Sequence, residues 1–382
     1  MNVSRGTFIV FMAGIYIHIP FCYSRCGYCD FYKTTDLSLI ENYIFSLKRE
    51  IEYRSKTFNY LIETIYFGGG TPSLLPTFFW ENIINTISKK FKISDNPEIT
   101  IECNPDDLDF AYLTNLHEIG FNRISLGVQS LLDEDLKIMN RRHDVKQALE
   151  VVEQAASTGF DNIGVDIIYG LPWSNSKLFS ENLRRFLQLP VNHFSAYHLT
   201  IEKGTAFHKR KEEGRLKELD DTQSFRQYEI LCNEMSFRGI DHYEVSNFCY
   251  PEFYSRHNSS YWKGIPYIGF GAGAHSYENN RRFWNKTDLN LYNSEKFDDI
   301  HEEEILSLSD LFNEQIMLGL RTKWGVDLIN CENQFGQFYE SFLKTMQKWS
   351  RGGVLYIESN HLKCYEKKWF IVDKVIEDFI IV

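Results

Sequence analysis

Residues 14–33 read GIYIHIPFCYSRCGYCDFYK. A short apolar, β-branched run over residues 15–21 breaks off into three cysteines, Cys22, Cys26 and Cys29, with Asp30 and Phe31 directly behind them. Thiols at i, i+4 and i+7 of one loop can wrap a single compact metal centre, and soft sulfur selects zinc or an iron–sulfur cluster. Zinc wants four ligands, and His18, Asp30 or Cys103 stand nearest to supply the missing one. A [4Fe–4S] cluster held by three cysteines instead leaves one iron open for a substrate. The spacing by itself leaves both readings standing.

Outward from that loop, similar apolar runs recur at residues 64–70, 98–105, 123–130, 163–170 and 193–200, each ending in small or polar residues. Helix-length segments lie between them, at 37–54, 78–91, 133–157 and 176–189. Strand–helix alternation of this kind predicts βα units on a parallel sheet, with the site at the C-terminal strand ends. Six units fit residues 15–215, two short of a closed barrel, so the expectation is an open, partial barrel. After residue 215 the texture changes. A charged run (209–221) reads as a solvated helix or linker, and RHNSSYWKGIPYIGFGAGAHS (256–276) is turn-rich and aromatic. From Ser307 the pattern is helix, helix, two short strands and a closing helix, a small α+β unit of winged-helix type.

Composition narrows the function classes. A net charge of −11 over 382 residues attracts no phosphate backbone, so nucleic acid is not expected as a partner. Eight cysteines are too few for a disulfide scaffold at this length. No stretch approaches the roughly 20 apolar residues of a membrane span, and MNVSRGTFIVFMAG is a weak signal peptide. The expected address is the cytoplasm. Met12 opens a natural start, so residues 1–13 read as an N-terminal extension.

Several residues beyond the cysteines carry chemical interest by themselves. Gly68, Gly69 and Gly70 end the second run, where missing side chains let a ligand approach the backbone. Glu102 ends the third, in IECNP, and a carboxylate there can accept from an amine or a ribose hydroxyl. Asp166 lies in an apolar strand, where an unpaired charge is costly and calls for a ligand or partner. Arg141 stands beside Arg142, and either could be an ordinary surface arginine.

The cysteine loop resembles the CxxxCxxC signature of the radical S-adenosylmethionine (SAM) superfamily, and IHIPFC and YCDFY resemble its HemN/HemW branch, the oxygen-independent coproporphyrinogen dehydrogenases and their relatives. The resemblance continues in order through GGGTPS, ECNP, GVQS, DIIYGLP and GAHS, covering nearly the whole chain from residue 14. It implies a partial (β/α)6 TIM-like barrel of radical SAM type over residues 14–215, with a C-terminal α+β, winged-helix-like domain over 216–382. It implies a [4Fe–4S] cluster on Cys22, Cys26 and Cys29. Residue by residue, it also implies SAM contacts at Tyr16, Tyr28, Gly69, Gly70, Thr71, Glu102, Gln129, Arg141 and Asp166.

Within the branch two features favour one side. Phe31 stands where the dehydrogenase has a further cysteine, and His257-Asn258-Ser259-Ser260-Tyr261-Trp262 resembles the HNxxYW motif of the HemW proteins, described as haem chaperones. That implies haem as a bound group and haem-accepting proteins, respiratory cytochromes among them, as partners, with transient membrane association during delivery. His257, Tyr261, Trp262 and His275 are the haem candidates. A neutral imidazole is a standard axial ligand, although a lone histidine in an aromatic loop is more often simply hydrogen-bonded. Two alternatives stand beside this reading: oxidative decarboxylation of coproporphyrinogen III, and a structural zinc site.

Overall fold

In the computed structural model, which describes residues 12–381, the six apolar runs form six parallel strands. These are β1 (Met12–Ile19), β2 (Leu61–Gly69), β3 (Lys92–Cys103), β4 (Arg123–Gln129), β5 (Asn162–Tyr169) and β6 (His193–His198). The expected extension lies outside the described residues up to position 11, while Met12 and Ala13 already pair with β2. Helices α1 (Ile40–Arg54), α2 (Thr77–Lys90), α3 (Phe110–Ile119), α4 (Asp133–Ile138), α5 (Val145–Ser157) and α6 (Ser176–Phe186) connect the strands.

Apart from the first half of β3 and the end of β6, the strands are covered on both faces, for different reasons. Side chains alternate across a strand, so one row of each meets the helices and the other meets the opposite strands. The helix-facing rows are apolar: Ile15, Ile17 and Ile19; Ile65 and Phe67; Ile99 and Ile101; Ile124, Leu126 and Val128. The alternate rows are polar or small: Thr64, Tyr66 and Gly68; Glu98, Thr100 and Glu102; Arg123, Ser125, Gly127 and Gln129; Gly164 and Asp166; His193, Ser195 and Tyr197. Parallel strands covered on both faces usually read as continuous apolar runs. Here the polar row marks a concave interior whose groups must find partners.

The segment expected as one helix over 133–157 is broken. Asn140 takes φ +60°, and Asp144 caps a second helix in a reciprocal capping box with Gln147. The short Asp144 side chain satisfies the first turn of α5 better than continued helix would satisfy its own backbone. The loop this creates carries Arg141 and Arg142.

Beyond β6 come α7 (Ala206–Glu212) and α8 (Asp221–Phe237), then β7 (Asp241–Glu244), β8 (Asn247–Cys249), α9 (Arg256–Trp262), β9 (Tyr267–Phe270), β10 (His275–Glu278) and β11 (Arg281–Asn285). After α10 (Leu289–Asn293) and α11 (Phe297–Ile300), β12 (His301–Ile305) completes one twelve-stranded sheet in the order β12-β11-β10-β9-β1-β2-β3-β4-β5-β6-β8-β7. Strand β9 lies parallel to β1 with Gly14 opposite Tyr267, a seventh parallel strand drawn from beyond residue 215. Among the described residues the sheet stays open, with β12 and β7 as its outer strands, and β7 bridges the segment 321–323 through Glu244 and Thr322. Its two parts are tied by Glu50 of α1, which is fully buried. That carboxylate accepts from Arg54, Asn285, the Gly271 backbone and the Tyr292 hydroxyl at 2.7–2.9 Å. The last segment holds α12 (Leu308–Leu320), β13 (Val326–Asp327), α13 (Leu328–Arg351), β14 (Leu355–Glu358), β15 (His361–Cys364) and α14 (Val372–Glu377). Its three strands form a separate antiparallel sheet in the order β13-β15-β14.

Candidate functional site

A cavity of about 480 Å³ opens at the C-terminal ends of β1 to β6. Cys22, Cys26 and Cys29 form one wall, joined by Tyr28, Gly69, Gly70, Thr71, Glu102, Gln129, Arg141 and Asp166. Residues spread over 145 positions of sequence thus meet in one chamber, because every parallel strand delivers its end to the same rim.

Each cysteine sulfur has one polar donor, and the three donors come from different segments. Thr71 Oγ1 donates to Cys22 Sγ (3.2 Å), Arg141 Nη1 to Cys26 Sγ (3.4 Å) and Lys33 Nζ to Cys29 Sγ (3.1 Å). Lys33 also holds the carbonyls of Cys29 (2.8 Å) and Phe31 (3.1 Å), stapling the loop behind the last cysteine. Donors aimed at sulfur, two of them cationic, suit thiolates rather than thiols. The donor set therefore fits a centre ligated by three thiolates. All eight cysteines are free of disulfides. Among the described residues no three His, Cys, Asp or Glu side chains, the three cysteines included, stand close enough to hold one metal ion between them. His18, offered above as a fourth zinc ligand, has Nδ1 on the Tyr16 hydroxyl (3.1 Å) and Nε2 on the Tyr32 carbonyl (3.3 Å).

The adjacent arginines part company. Arg141 Nη2 donates to Asn104 Oδ1 (2.7 Å) and the Gly127 carbonyl (2.6 Å), which aims the guanidinium into the cavity. Arg142, also on the cavity's lining, is instead paired with Asp106 (2.6 Å) and Asp107 (3.1 Å) and lies 4.3 Å over the Tyr23 ring.

Opposite the cysteines stand two carboxylates that make no ion pair among the described residues. Glu102 accepts from the Tyr66 hydroxyl (2.7 Å) and the Gly69 backbone (3.2 Å), yet burial pushes its carboxyl up to about 7. Asp166 is pushed up to about 6 by burial, with the Ser195 and Ser125 hydroxyls and the charges of Arg123 and Arg141 pulling it back. Two carboxylates that form no direct ion pair, with Arg123 and Arg141 acting on them only from a distance, make the cavity suited to a cationic ligand. Gly70 serves packing as well as access: a Cβ there would lie 2.7 Å from the Phe21 carbonyl and 2.9 Å from that of Ile19, so only glycine lets the loop before Cys22 close on β2.

Residues 16–184 match the radical SAM superfamily model. The haem chaperone HemW of Lactococcus lactis is 34% identical over 372 residues, spanning 96% of this chain and 97% of that protein. The chain belongs to the HemW family of the radical SAM superfamily. HemW of Bacillus subtilis is 35% identical, over 88% of this chain and 90% of its own length. The zebrafish mitochondrial radical S-adenosyl methionine domain-containing protein 1 is 30% identical, over 97% and 87%. The coproporphyrinogen III oxidase HemN of Escherichia coli, a radical SAM enzyme, shares the fold at a TM-score of 0.84 and 20% identity, over 97% of this chain and 90% of that one.

Not every residue singled out in this HemW-family sequence lies at the cavity. Tyr16 sits deeper, in a cluster of rings with Tyr66 (6.2 Å between centroids) and His257 (6.5 Å). His257 is buried with both ring nitrogens engaged, Nδ1 with Thr64 Oγ1 and Nε2 with the Tyr261 hydroxyl, each at 2.7 Å. In this arrangement neither nitrogen is free for an iron, and burial lowers the ring's pKa to about 3, so it is neutral. Trp262 is half-buried at the end of α9, and His275 is exposed on β10, where it stacks on Trp284 (5.7 Å). The haem candidates thus divide between the barrel interior and the surface. Sequence reading missed Lys33, Asn104, Tyr197 and His198, all of which line the cavity. Asn104 and Lys33 lie within or beside the quoted motifs, but nothing in their spacing distinguishes them from loop caps.

Proposed function

We propose that the chain is a haem chaperone, which binds haem and hands it to acceptor proteins while carrying a [4Fe–4S] cluster and SAM in the cavity. Cys22, Cys26 and Cys29 would hold the cluster, with Thr71, Arg141 and Lys33 donating to their sulfurs. When bound, the cluster supplies an open iron that can take a ligand's amino and carboxylate groups. The chain's own residues bind and orient that ligand: Gly69, Gly70 and Thr71 offer close backbone, and Glu102 and Asp166 offer negative charge to a cationic sulfonium or amine. The single observation that carries this reading is the meeting of three hydrogen-bonded thiols and two carboxylates without an ion pair in one cavity. The names borne by the relatives from Lactococcus and Bacillus support haem delivery over decarboxylation.

His275 is the proposed haem-facing imidazole, since its ring makes no hydrogen bond among the described residues and its surface is open. No helix among the described residues is long and apolar enough to cross a membrane, and we place the protein in the cytoplasm. Haem titration of the anaerobically reconstituted protein, run beside an anaerobic coproporphyrinogen III assay, tests the function. Saturable haem binding with a shifted Soret band and no turnover is expected. Decarboxylation at catalytic rates would overturn the chaperone assignment in favour of the dehydrogenase.

A further inference from the structure

The HNxxYW segment has no part in the cavity wall, yet its histidine is among the most constrained side chains of the barrel. Glu98, at the bottom of the inward row of β3, accepts the backbone N–H groups of Arg256 and His257, both at 2.9 Å. This seats α9 under the barrel floor. The imidazole is then fixed between Thr64 and the Tyr261 hydroxyl, each at 2.7 Å. Thr64 and Tyr66 are two residues apart on β2 and so share its inward face. His257 bonds the first and stacks on the second, with 5.0 Å between centroids and 21° between planes. The hydroxyl of Tyr66, which burial keeps protonated, donates to Glu102 Oε1 at 2.7 Å. Glu102 Oε2 accepts the Gly69 N–H at the rim. A continuous set of contacts therefore runs from α9 to the carboxylate on the cavity wall.

We propose that His257 is a positioning residue for the cofactor cavity: pinned by Thr64 and Tyr261, it holds the Tyr66 ring so that the Tyr66 hydroxyl fixes Glu102 from behind. This rests on the reading that the cavity holds SAM. The motif then links the barrel floor to the cofactor site. A hydrogen bond to an ionised carboxylate favours the charged form, so Tyr66 keeps Glu102 more acidic than burial alone would leave it. The other groups facing Glu102 are Tyr16 from β1, Gly69 from β2, Cys103 from β3, Arg123 from β4, Asp166 from β5, Tyr197 from β6 and Tyr261 from α9. Of these Tyr261 alone is hydrogen-bonded to His257, and it makes no hydrogen bond to Glu102, so the route from His257 that ends in a hydrogen bond on the carboxylate runs through Tyr66.

The test is the pH profile of SAM binding to cluster-loaded protein, by equilibrium dialysis, for wild type, Tyr66→Phe, His257→Leu and the double variant. Loss of the Tyr66 donor should move the rise in affinity to higher pH by about one unit, weakening binding about fivefold at pH 7 while the high-pH plateau persists. His257→Leu should move the profile in the same direction, and the double variant should be no worse than Tyr66→Phe. If His257→Leu fails to fold, Thr64→Val releases the same imidazole with little change in volume and should reproduce the shift. Haem stoichiometry should be unchanged in His257→Leu. A profile that stays in place when His257 or Thr64 is changed, an effect that adds in full to that of Tyr66→Phe, or loss of haem binding with an unmoved profile would each overturn the proposal. Wild type that binds no SAM at any pH would instead refute the cavity reading beneath it.

Discussion

The two carboxylates of the cavity make affinity for a cationic ligand depend on pH, and the structure gives both sign and size. Glu102 sits at about 7 and Asp166 at about 6, each raised by burial, so both are partly protonated in mildly acid solution. Lowering the pH removes the negative charge that the ligand's sulfonium and amine would meet. Between pH 8 and pH 6 the ionised fraction of Glu102 falls about tenfold, and Asp166 adds roughly a further twofold. SAM binding to the reconstituted protein should therefore weaken about twentyfold over that range if both charges are needed. Glu102→Gln should be weaker at pH 8 and keep only the roughly twofold slope of Asp166, and Asp166→Asn should keep the tenfold slope of Glu102. Isothermal titration under anaerobic conditions reads these values directly. Affinity that stays level in wild type from pH 6 to 8, or a Glu102→Gln variant with the full wild-type slope, would refute the assignment of these carboxylates to a cationic ligand.

Three further outcomes follow from other parts of the structure. Lys33→Met removes the ammonium from Cys29 Sγ (3.1 Å) and should shift the cluster's midpoint to more negative potential in an EPR-monitored redox titration, while Lys33→Arg should restore most of the shift. Gly70→Ala sets a Cβ 2.7 Å from the Phe21 carbonyl and should lower iron and sulfide content after reconstitution, because the loop before Cys22 cannot close. Glu50→Ala strips a fully buried carboxylate of four hydrogen-bonded partners and leaves Arg54 buried without its ion pair, so denaturant unfolding should show a loss of about 3–5 kcal/mol.

Much of the fold is legible in the sequence because apolar β-branched runs separated by helix-length segments have few other solutions than parallel βα units. The six strands fall on the six runs, and the motif residues fall at their C-terminal ends. What escapes is governed by single side chains acting against the local pattern. The apparent helix over 133–157 breaks because Asp144 and Gln147 cap a new one, a device visible only once Asn140 is known to be left-handed. Strand β9 joins the parallel set from a stretch that reads as turns, since its partner β1 lies some 250 residues away. The candidate site is legible in its clustered cysteines, in Glu102 at a strand end and in Asp166, a charge inside an apolar strand, while Arg141 reads no differently from Arg142 and is singled out by the resemblance alone. Lys33 is not legible, because a lysine after a cysteine loop is ordinarily solvated. His257 shows the opposite case. Its motif reads as a haem ligand, while Thr64 and Tyr261, which occupy its two nitrogens, are found only in three dimensions. A signal present but unread is the period-two polar row, Thr64-Tyr66-Gly68 and Glu98-Thr100-Glu102, which marks a barrel interior built to carry charge.

The measurement closest to the central claim is the EPR spectrum of the anaerobically reconstituted, reduced protein before and after addition of SAM. The account predicts a [4Fe–4S] signal that requires Cys22, Cys26 and Cys29 and changes when SAM is added, because one iron is open at the cavity. A signal indifferent to SAM, or a protein that takes up stoichiometric zinc and no sulfide, would contradict it.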